Sequence, residues 1–309
     1  MSCIRHAIAF LGLLSGAAMV PCAAQQDPMY SQYMFNTLAF NPGYAGSADV
    51  FTAMLLSRHQ WVGFDGAPAT QTLTLHTPLR NQALALGFSV INDKIGPSSQ
   101  TGAYVDFAYR IRTGTNTRLS FGLKGGMNMY QADLASLTSV EVDPANVNIR
   151  PQLLPNFGFG LFWHSPTYYV GLSAPKLLTN EIDAVSGSAL VTATEARHYF
   201  LIAGYVLPID RDLKFKPSIM FRTVEGAPMS LDINANFLLR DRIWFGALYR
   251  WGNAFGLLGQ YQVNDQFRVG YAFDLTTTRL SAYNAGTHEL MLSYDFRFVK
   301  GRTISPRYF

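Results

Sequence analysis

Alternation between apolar and polar residues, repeated through about fourteen short segments, is the feature that most restricts the fold of this chain. In residues 103–111 the odd positions, from Ala103 to Ile111, are apolar, whereas Asp106 and Arg110 occupy even positions. The same pattern recurs in residues 231–239, 267–275 and 290–298. A period of two is typical of a β-strand with one apolar face. The sequence therefore predicts an all-β fold.

The predicted strands are short, and the alternation defines their ends only to within about two to four residues. They cover residues 51–60, 70–77, 83–91, 101–111, 118–129, 156–163, 168–173, 198–206, 212–222, 230–239, 242–250, 254–262, 266–275 and 289–299. Many have roughly the 9–11 residues that a tilted strand needs to cross a bilayer. No interior stretch holds about 18 uninterrupted apolar residues, so the sequence does not predict transmembrane helices.

The connections between these strands alternate in length. Those after even-numbered strands are short, and they are residues 78–82, 112–117, 164–167, 207–211, 240–241 and 263–265. Those after odd-numbered strands are mostly longer, namely 61–69, 92–100, 130–155, 174–197 and 276–288, with 251–253 as a brief exception. Transmembrane barrels have an even strand number, short periplasmic turns and longer extracellular loops. We therefore predict a transmembrane antiparallel β-barrel of about 14 strands.

Composition agrees with strands that face lipid, because only 14% of residues are charged and 14% are aromatic. Lipid offers no hydrogen-bond partners, so the sheet must close on itself and turn its apolar faces outward. Charged side chains on the opposite faces are predicted to line the lumen, and they are Asp106, Arg110, Lys124, Arg222, Arg250, Arg268, Asp274, Asp295 and Arg297. Six aromatic residues near strand ends are predicted to form interfacial girdles: Trp61, Tyr109, Trp163, Trp244, Tyr249 and Trp251.

The first 24 residues have the features of a secretory signal peptide: basic Arg5, an apolar run over residues 7–20, and small residues before Gln25. The chain has 2 cysteines, Cys3 and Cys22, and both lie in this leader. We therefore expect neither a disulfide nor a cysteine metal site after cleavage. The predicted organisation is a cleaved signal peptide (1–24), an N-terminal segment (25–50), an outer-membrane barrel (51–299) and a C-terminal tail (300–309).

The sequence offers little support for catalysis or for a cofactor. The histidines after the leader are not spaced as HxH or HxxxH, and neither a GxSxG motif nor a glycine-rich phosphate loop occurs. An outer-membrane hydrolase that uses His76 or His164 is a weaker alternative, since no spacing singles them out. The net charge of +4 and scattered basic residues do not indicate nucleic-acid binding. We expect no catalytic residue, cofactor, metal or small-molecule substrate.

Glycines recur inside the predicted strands, for example Gly122, Gly160 and Gly270. Barrel strands use glycine where they bend or where another segment approaches the wall closely. Residues 27–47 are rich in Tyr, Phe, Met, Asn, Pro and Gly, and Asp27 is their only ionised side chain. This stretch is the natural candidate for a segment packed inside the lumen.

The sequence QQDPMYSQYMFNTLAFNPGYAGS resembles the N-terminal signature of the PorP/SprF family of Bacteroidetes outer-membrane proteins, which belong to type IX secretion and gliding systems. Residues 57–61 and 92–97 and the overall length are also similar to that family. Gly43 departs from the alanine expected at its position. The signature residues are Asp27, Pro28, Tyr30, Ser31, Gln32, Tyr33, Asn36, Asn41, Pro42, Tyr44 and Gly46.

The resemblance implies a non-enzymatic barrel in outer-membrane lipid that binds protein partners. These partners would be type IX secretion components, an exported adhesin with a C-terminal sorting domain, or both. The signature segment is expected to contact a partner or to pack in the lumen. A passive or solute-selective porin is the alternative function, because the predicted lumen is polar and of mixed charge.

Overall fold

The computed structural model describes residues 28–136, 148–186, 189–225, 227–296 and 308. The predicted signal peptide, Asp27, Arg297 and all of the predicted tail except Tyr308 lie outside the described residues. Within the described ranges, no helix is long and apolar enough to cross a bilayer.

The described residues form seventeen strands in chain order. They are β1 (Phe51–His59), β2 (Ala69–Pro78), β3 (Leu84–Ile95), β4 (Ser98–Arg112), β5 (Arg118–Ala132), β6 (Ile149–His164), β7 (Tyr168–Ala174), β8 (Glu181–Ser186), β9 (Ala189–Thr194), β10 (His198–Tyr205), β11 (Leu207–Pro208), β12 (Leu213–Val224), β13 (Ala227–Leu239), β14 (Ile243–Arg250), β15 (Ala254–Gln262), β16 (Phe267–Thr276) and β17 (Thr287–Phe296). Short 3-10 helices cover Thr37–Ala39, Pro42–Tyr44, Leu134–Ser136 and Arg279–Tyr283.

Strands β1–β7, β10 and β12–β17 form one closed antiparallel barrel of 14 strands, which confirms the predicted fold class. Closure comes from the first and last strands, which pair from Phe51–Phe296 to His59–His288. On the far side β10 pairs with both β7 and β12. Strands β8 and β9 form a separate hairpin, and the two-residue β11 adds to β12. Every barrel strand therefore has two neighbours, as a lipid environment requires.

Side chains alternate between the outside and the inside of the barrel along each strand. In β1, Leu55 is 47% exposed, whereas Leu56 is fully buried. In β4, Val105, Phe107 and Tyr109 are exposed between buried neighbours. Exposed apolar side chains thus form a band around the barrel, because a period of two places alternate residues on opposite faces of a sheet.

The two ends of the barrel differ. The turn end carries the connections after β2, β4, β6, β10, β13 and β15, which are residues 79–83, 113–117, 165–167, 206–212, 240–242 and 263–266. The loop end carries the remaining connections, whose described residues are 60–68, 96–97, 133–136, 148, 175–186, 189–197, 225, 251–253 and 277–286.

Three of the longer predicted loops contain several strand residues. The predicted connection 130–155 is too long, because β5 continues to Ala132 and β6 begins at Ile149. The predicted connection 92–100 is wrong, because β3 continues to Ile95 and β4 begins at Ser98. Polar side chains pair along this extension, where Asn92 Nδ2 donates to Gln71 Oε1 at 2.8 Å. The long connection 174–197 contains the β8–β9 hairpin. Strand pairing here does not need the apolar alternation from which strand ends were predicted.

The assignment of Trp244 to an interfacial girdle is also wrong. Trp244 is only 4% exposed and faces the lumen, in phase with Leu248 and Arg250 on β14. The rings of Tyr109, Trp163, Tyr249 and Trp251 are exposed. Trp244 faces the lumen because of its position in the alternation along β14. Its closeness to the end of the strand does not determine which face it occupies.

The main buried cluster lies inside the barrel and is built around the N-terminal segment. We call residues 28–50 the plug. Every plug residue from Tyr30 to Gly46 is buried. Two single-turn 3-10 helices, Thr37–Ala39 and Pro42–Tyr44, fold the segment into a compact form.

Candidate functional site: the plug and the barrel wall

The plug runs through the lumen from the loop end towards the turn end. Ser31 contacts Arg58, the penultimate residue of β1, at the loop end of the barrel. Gly46 contacts Arg110, near the turn end of β4, and donates its N–H to His76 Nδ1 on β2 at 3.3 Å. The plug therefore occupies the lumen along much of the barrel axis.

A buried network of charges holds the loop-end half of the plug. Glu289 accepts hydrogen bonds from the backbone N–H groups of Ser31 and Gln32, both at 2.8 Å. The Ser31 hydroxyl donates to Asp274 Oδ2 at 2.5 Å and accepts from Arg58 Nη1 at 2.7 Å. Arg58 also pairs with Asp274 and with Glu289, each at 2.9 Å. Two carboxylates and one guanidinium from three strands thus converge on two plug residues.

The network extends across the lumen wall to a second arginine. Arg250 forms a bidentate pair with Asp232, with Nη2–Oδ2 at 2.9 Å and Nε–Oδ1 at 3.1 Å. Its Nη1 lies 3.9 Å from Asp274 Oδ2. We refer to Arg58, Asp232, Arg250, Asp274 and Glu289 as the ion network. Burial in a low-dielectric interior makes such charges dependent on the presence of all their partners.

On the opposite side, the plug backbone lies in close contact with strands β5 and β6. Asn41 Nδ2 donates to the Leu161 carbonyl at 2.9 Å, while Asn41 Oδ1 accepts from Gly43 N at 2.9 Å and caps the Pro42–Tyr44 turn. A Cβ atom on Gly122 would overlap the backbone of Gly43, and one on Gly160 would overlap Asn41 Oδ1. The missing side chains on β5 and β6 therefore admit the Asn-Pro-Gly-Tyr turn.

Tyr44 fills the space beside this turn. Its ring packs edge-on against His76 and Phe162, with both centroid distances at 5.3 Å. Both wall residues are buried. This aromatic contact joins β2 and β6 through the plug.

A second cluster of charges lies where the plug leaves the barrel at the turn end. Gly46 has φ of +70°, a left-handed conformation that suits glycine. Its carbonyl accepts from Arg110 Nη1 at 2.5 Å. Asp49 then pairs with Arg110 at 3.1 Å and with Arg118 at 2.6 Å. These contacts fix the path from the plug into β1.

The remaining signature residues lie as follows. The Tyr30 hydroxyl bonds to Thr72 Oγ1 at 2.5 Å, and Asn36 Oδ1 accepts from Thr74 Oγ1 at 3.1 Å. Gln32 is buried against Gly270, where a Cβ atom would overlap its Oε1. Tyr33 is 1% exposed, and Pro28 is half-buried at the start of the described chain.

Several charged residues assigned to the lumen contact the plug. Lys124 Nζ donates a hydrogen bond to the carbonyl of Leu38 at 3.3 Å, and it lies 3.4 Å from Asp106 Oδ1. Arg222 Nη2 lies 2.8 Å from the sulfur of Met29.

Other lumen charges stay within the wall. Arg268 and Asp295 are 3.7 Å apart, and Asp295 also accepts from Thr52 at 2.7 Å. These groups link neighbouring strands of the wall. The structure therefore divides the predicted lumen charges into plug contacts and wall contacts.

Three network residues, Arg58, Asp232 and Glu289, were missing from the predicted site. The phase of each strand contained the signal for all three, because Arg58 is in phase with buried Leu56 and Glu289 with buried Met291. Sequence phase indicates the face of the sheet but not the residue that is met across the lumen.

The hydrolase alternative gains nothing from the geometry. His76 faces Tyr44 and Gly46, and His164 stacks on Phe162 at 5.2 Å. Within the described residues, no group of three His, Cys, Asp or Glu side chains could hold a metal ion.

Closed strand pairing, an outward apolar band and a buried N-terminal plug define a plugged outer-membrane β-barrel. The model of the type IX secretion system membrane protein family PorP/SprF matches residues 22–294, so the chain belongs to that family. The predicted family and the outer-membrane location are both confirmed. No curated protein matches the chain.

Solved structures with a similar fold are outer-membrane barrels. A Pseudomonas aeruginosa FadL homologue is 12% identical, with 84% of this chain and 94% of that chain covered and a TM-score of 0.50. The CymD monoaromatic hydrocarbon channel is also 12% identical, with 87% and 94% covered and a TM-score of 0.50. At this identity the likeness concerns the fold alone.

Proposed function

We propose that this protein is a non-conducting barrel of the type IX secretion machinery that binds protein partners in order to export or attach surface proteins. The observation that carries the proposal is the burial of every residue from Tyr30 to Gly46 within the barrel. Because the plug fills the lumen, protein partners would bind at the two ends of the barrel. Family membership supplies the secretion context.

The loop end is the surface that we assign to an exported client, such as an adhesin with a C-terminal sorting domain. Large apolar side chains are exposed there, including Phe64 at 46% and Tyr283 at 69% in the connections and Ile95 at 44% at the end of β3. Aromatic residues are enriched at protein interfaces, and exposed apolar groups outside the lipid band favour protein contact. The turn end would then face periplasmic components of the secretion system.

The first test is recovery of partners from the native outer membrane. The tagged protein is cross-linked, solubilised gently and purified, and its partners are identified by mass spectrometry. We expect type IX components or an exported surface protein. Recovery of the barrel alone in repeated experiments would contradict the proposal.

Paired variants locate the client surface. Replacement of Phe64 and Tyr283 by serine is expected to reduce recovery of the exported client by about tenfold or more, because aromatic residues that act as interface hot spots contribute about 2 kcal/mol or more each and tenfold corresponds to about 1.4 kcal/mol. The matched control replaces Ile209 and Val263 by serine; these residues lie at the turn end and are 56% and 46% exposed. That control should retain the client.

The porin alternative is tested by conductance in planar bilayers. A filled lumen predicts no steady single-channel current from the wild-type protein. A steady current of uniform size would favour the porin and would contradict the non-conducting barrel.

A further inference from the structure

A buried lysine at the turn end is surrounded by aromatic rings from three parts of the molecule. Lys216 on β12 is fully buried. Its Nζ lies 4.9 Å from the ring centre of Phe35 in the plug, 5.4 Å from Trp244 on β14 and 5.7 Å from Tyr169 on β7. Cations are attracted to aromatic faces at such distances. An ammonium group in this setting still needs oxygen acceptors for its N–H bonds.

The C-terminal end of the chain supplies one such acceptor. Lys216 Nζ donates a hydrogen bond to the main-chain carbonyl of Tyr308. The Tyr308 ring lies under Lys214 Nζ, 4.8 Å from it, and packs against the buried cluster inside the barrel. Lys214 and Lys216 therefore contact two groups of one residue, the ring and the carbonyl.

We propose that Lys214, Lys216, Phe35 and Trp244 form a peptide-binding socket at the turn end, which Tyr308 occupies in cis and an aromatic residue of a partner protein can occupy in its place. The ligand is an aromatic side chain together with its own main-chain carbonyl. Every aromatic residue of a polypeptide carries both groups within a few bonds of each other, so the socket fits a peptide. Any periplasmic protein with an exposed aromatic segment meets this requirement.

The socket also connects partner binding to the plug. Phe35 belongs to the plug and stacks edge-on with Trp244 at a centroid distance of 5.6 Å. A segment that replaces Tyr308 would contact the same lysine as Phe35. Exchange at the socket therefore acts on the plug at Phe35.

The test measures peptide binding in trans to the full-length protein in detergent micelles. The probe is a fluorescein-labelled peptide, SPRYF, which corresponds to residues 305–309. Tyr308→Ala removes the ring beneath Lys214 and keeps only the main-chain carbonyl as a competitor. We expect this variant to bind the probe about tenfold or more tightly than the wild type, because the resident ring lowers the fraction of accessible sites. A control probe with alanine in place of both its tyrosine and its phenylalanine should not bind.

Variants of the socket separate specific binding from general affinity for peptides. In the Tyr308→Ala background, Lys214→Ser should weaken probe binding about two- to fivefold, as expected for loss of a cation–π contact near the surface. Lys94→Ser, on β3 near the loop end, is the matched control and should leave binding unchanged. Folding of each variant is checked by its heat-modifiable migration in gels.

Equal affinity of the wild type and Tyr308→Ala for the probe would overturn the proposal, as would equal binding of the alanine probe. These outcomes do not depend on any secretion partner. Failure of the socket and failure of the proposed function are therefore distinguishable.

Discussion

The plug meets the barrel wall in two different ways. On one side, Ser31 and Gln32 bind to the ion network through charged side chains that extend from β1, β16 and β17. On the other side, Asn41 and Gly43 lie against β5 and β6, where Gly122 and Gly160 have no side chain. The first contact depends on charged atoms that are present, and the second depends on atoms that are absent.

This difference determines how each contact fails. A buried ion network is sensitive to removal, because loss of one member leaves a desolvated charge without its partner. A close backbone contact is sensitive to addition, because a rigid wall cannot move away from a new Cβ atom. Together they hold one segment against two walls by unrelated physical means.

The largest effect is expected from Arg58→Met, which breaks the ion network by removal. Asp274 and Glu289 lose the guanidinium that pairs with both. We expect the free energy of unfolding to fall by about 3–5 kcal/mol, measured by urea titration in detergent micelles. The matched control is Arg240→Met, since Arg240 and Asp212 form an exposed pair at 3.7 Å. An equal loss in both variants would show that the network has no special role.

A smaller effect is expected from Gly122→Val, which breaks the second contact by addition. The new side chain would overlap the Gly43 backbone, so we expect a loss of about 1–3 kcal/mol. Displacement of the plug should also produce a single-channel current. The control is Gly125→Val on the same strand, where a Cβ atom meets nothing within 4 Å. A variant as stable and as closed as the wild type would contradict the close approach.

The smallest effect is expected from Tyr30→Phe, which removes one plug hydrogen bond and keeps the ring. Its hydroxyl bonds to Thr72 at 2.5 Å in a buried setting. We expect a loss of about 1 kcal/mol without any current. The control is Tyr109→Phe, whose residue is 48% exposed on the outer face. A loss as large as that of Arg58→Met would mean that the contact with β2 matters as much as the ion network.

Much of the fold was predictable because the alternation of apolar and polar residues in each strand distinguishes its two faces. The strand number and closed fold were confirmed, and the N-terminal signature identified the family. Strand ends were less predictable beyond the lipid band. The β3–β4 hairpin continues to Ile95 through polar residues, whose pairing requires no alternation.

The candidate site was predictable only in part. The strand phase of Asp274 indicated its face, and the glycine-rich strands suggested that a segment approaches the wall. The partners of that segment were not predictable, and Trp244 was assigned to the wrong side. Strand phase indicates which side chains point into the lumen. It does not indicate their position along the barrel axis or the residue that each contacts across the lumen.

The sequence alone determined the period of two, the number of strands and the family, because all three reside in local patterns or in one contiguous signature. Only the tertiary structure decided that Ser31 meets Glu289 across 258 residues of chain. It also decided which glycines face the plug. Closing the barrel brings distant strands around one segment, and the position of that segment depends on the packing of all of them at once.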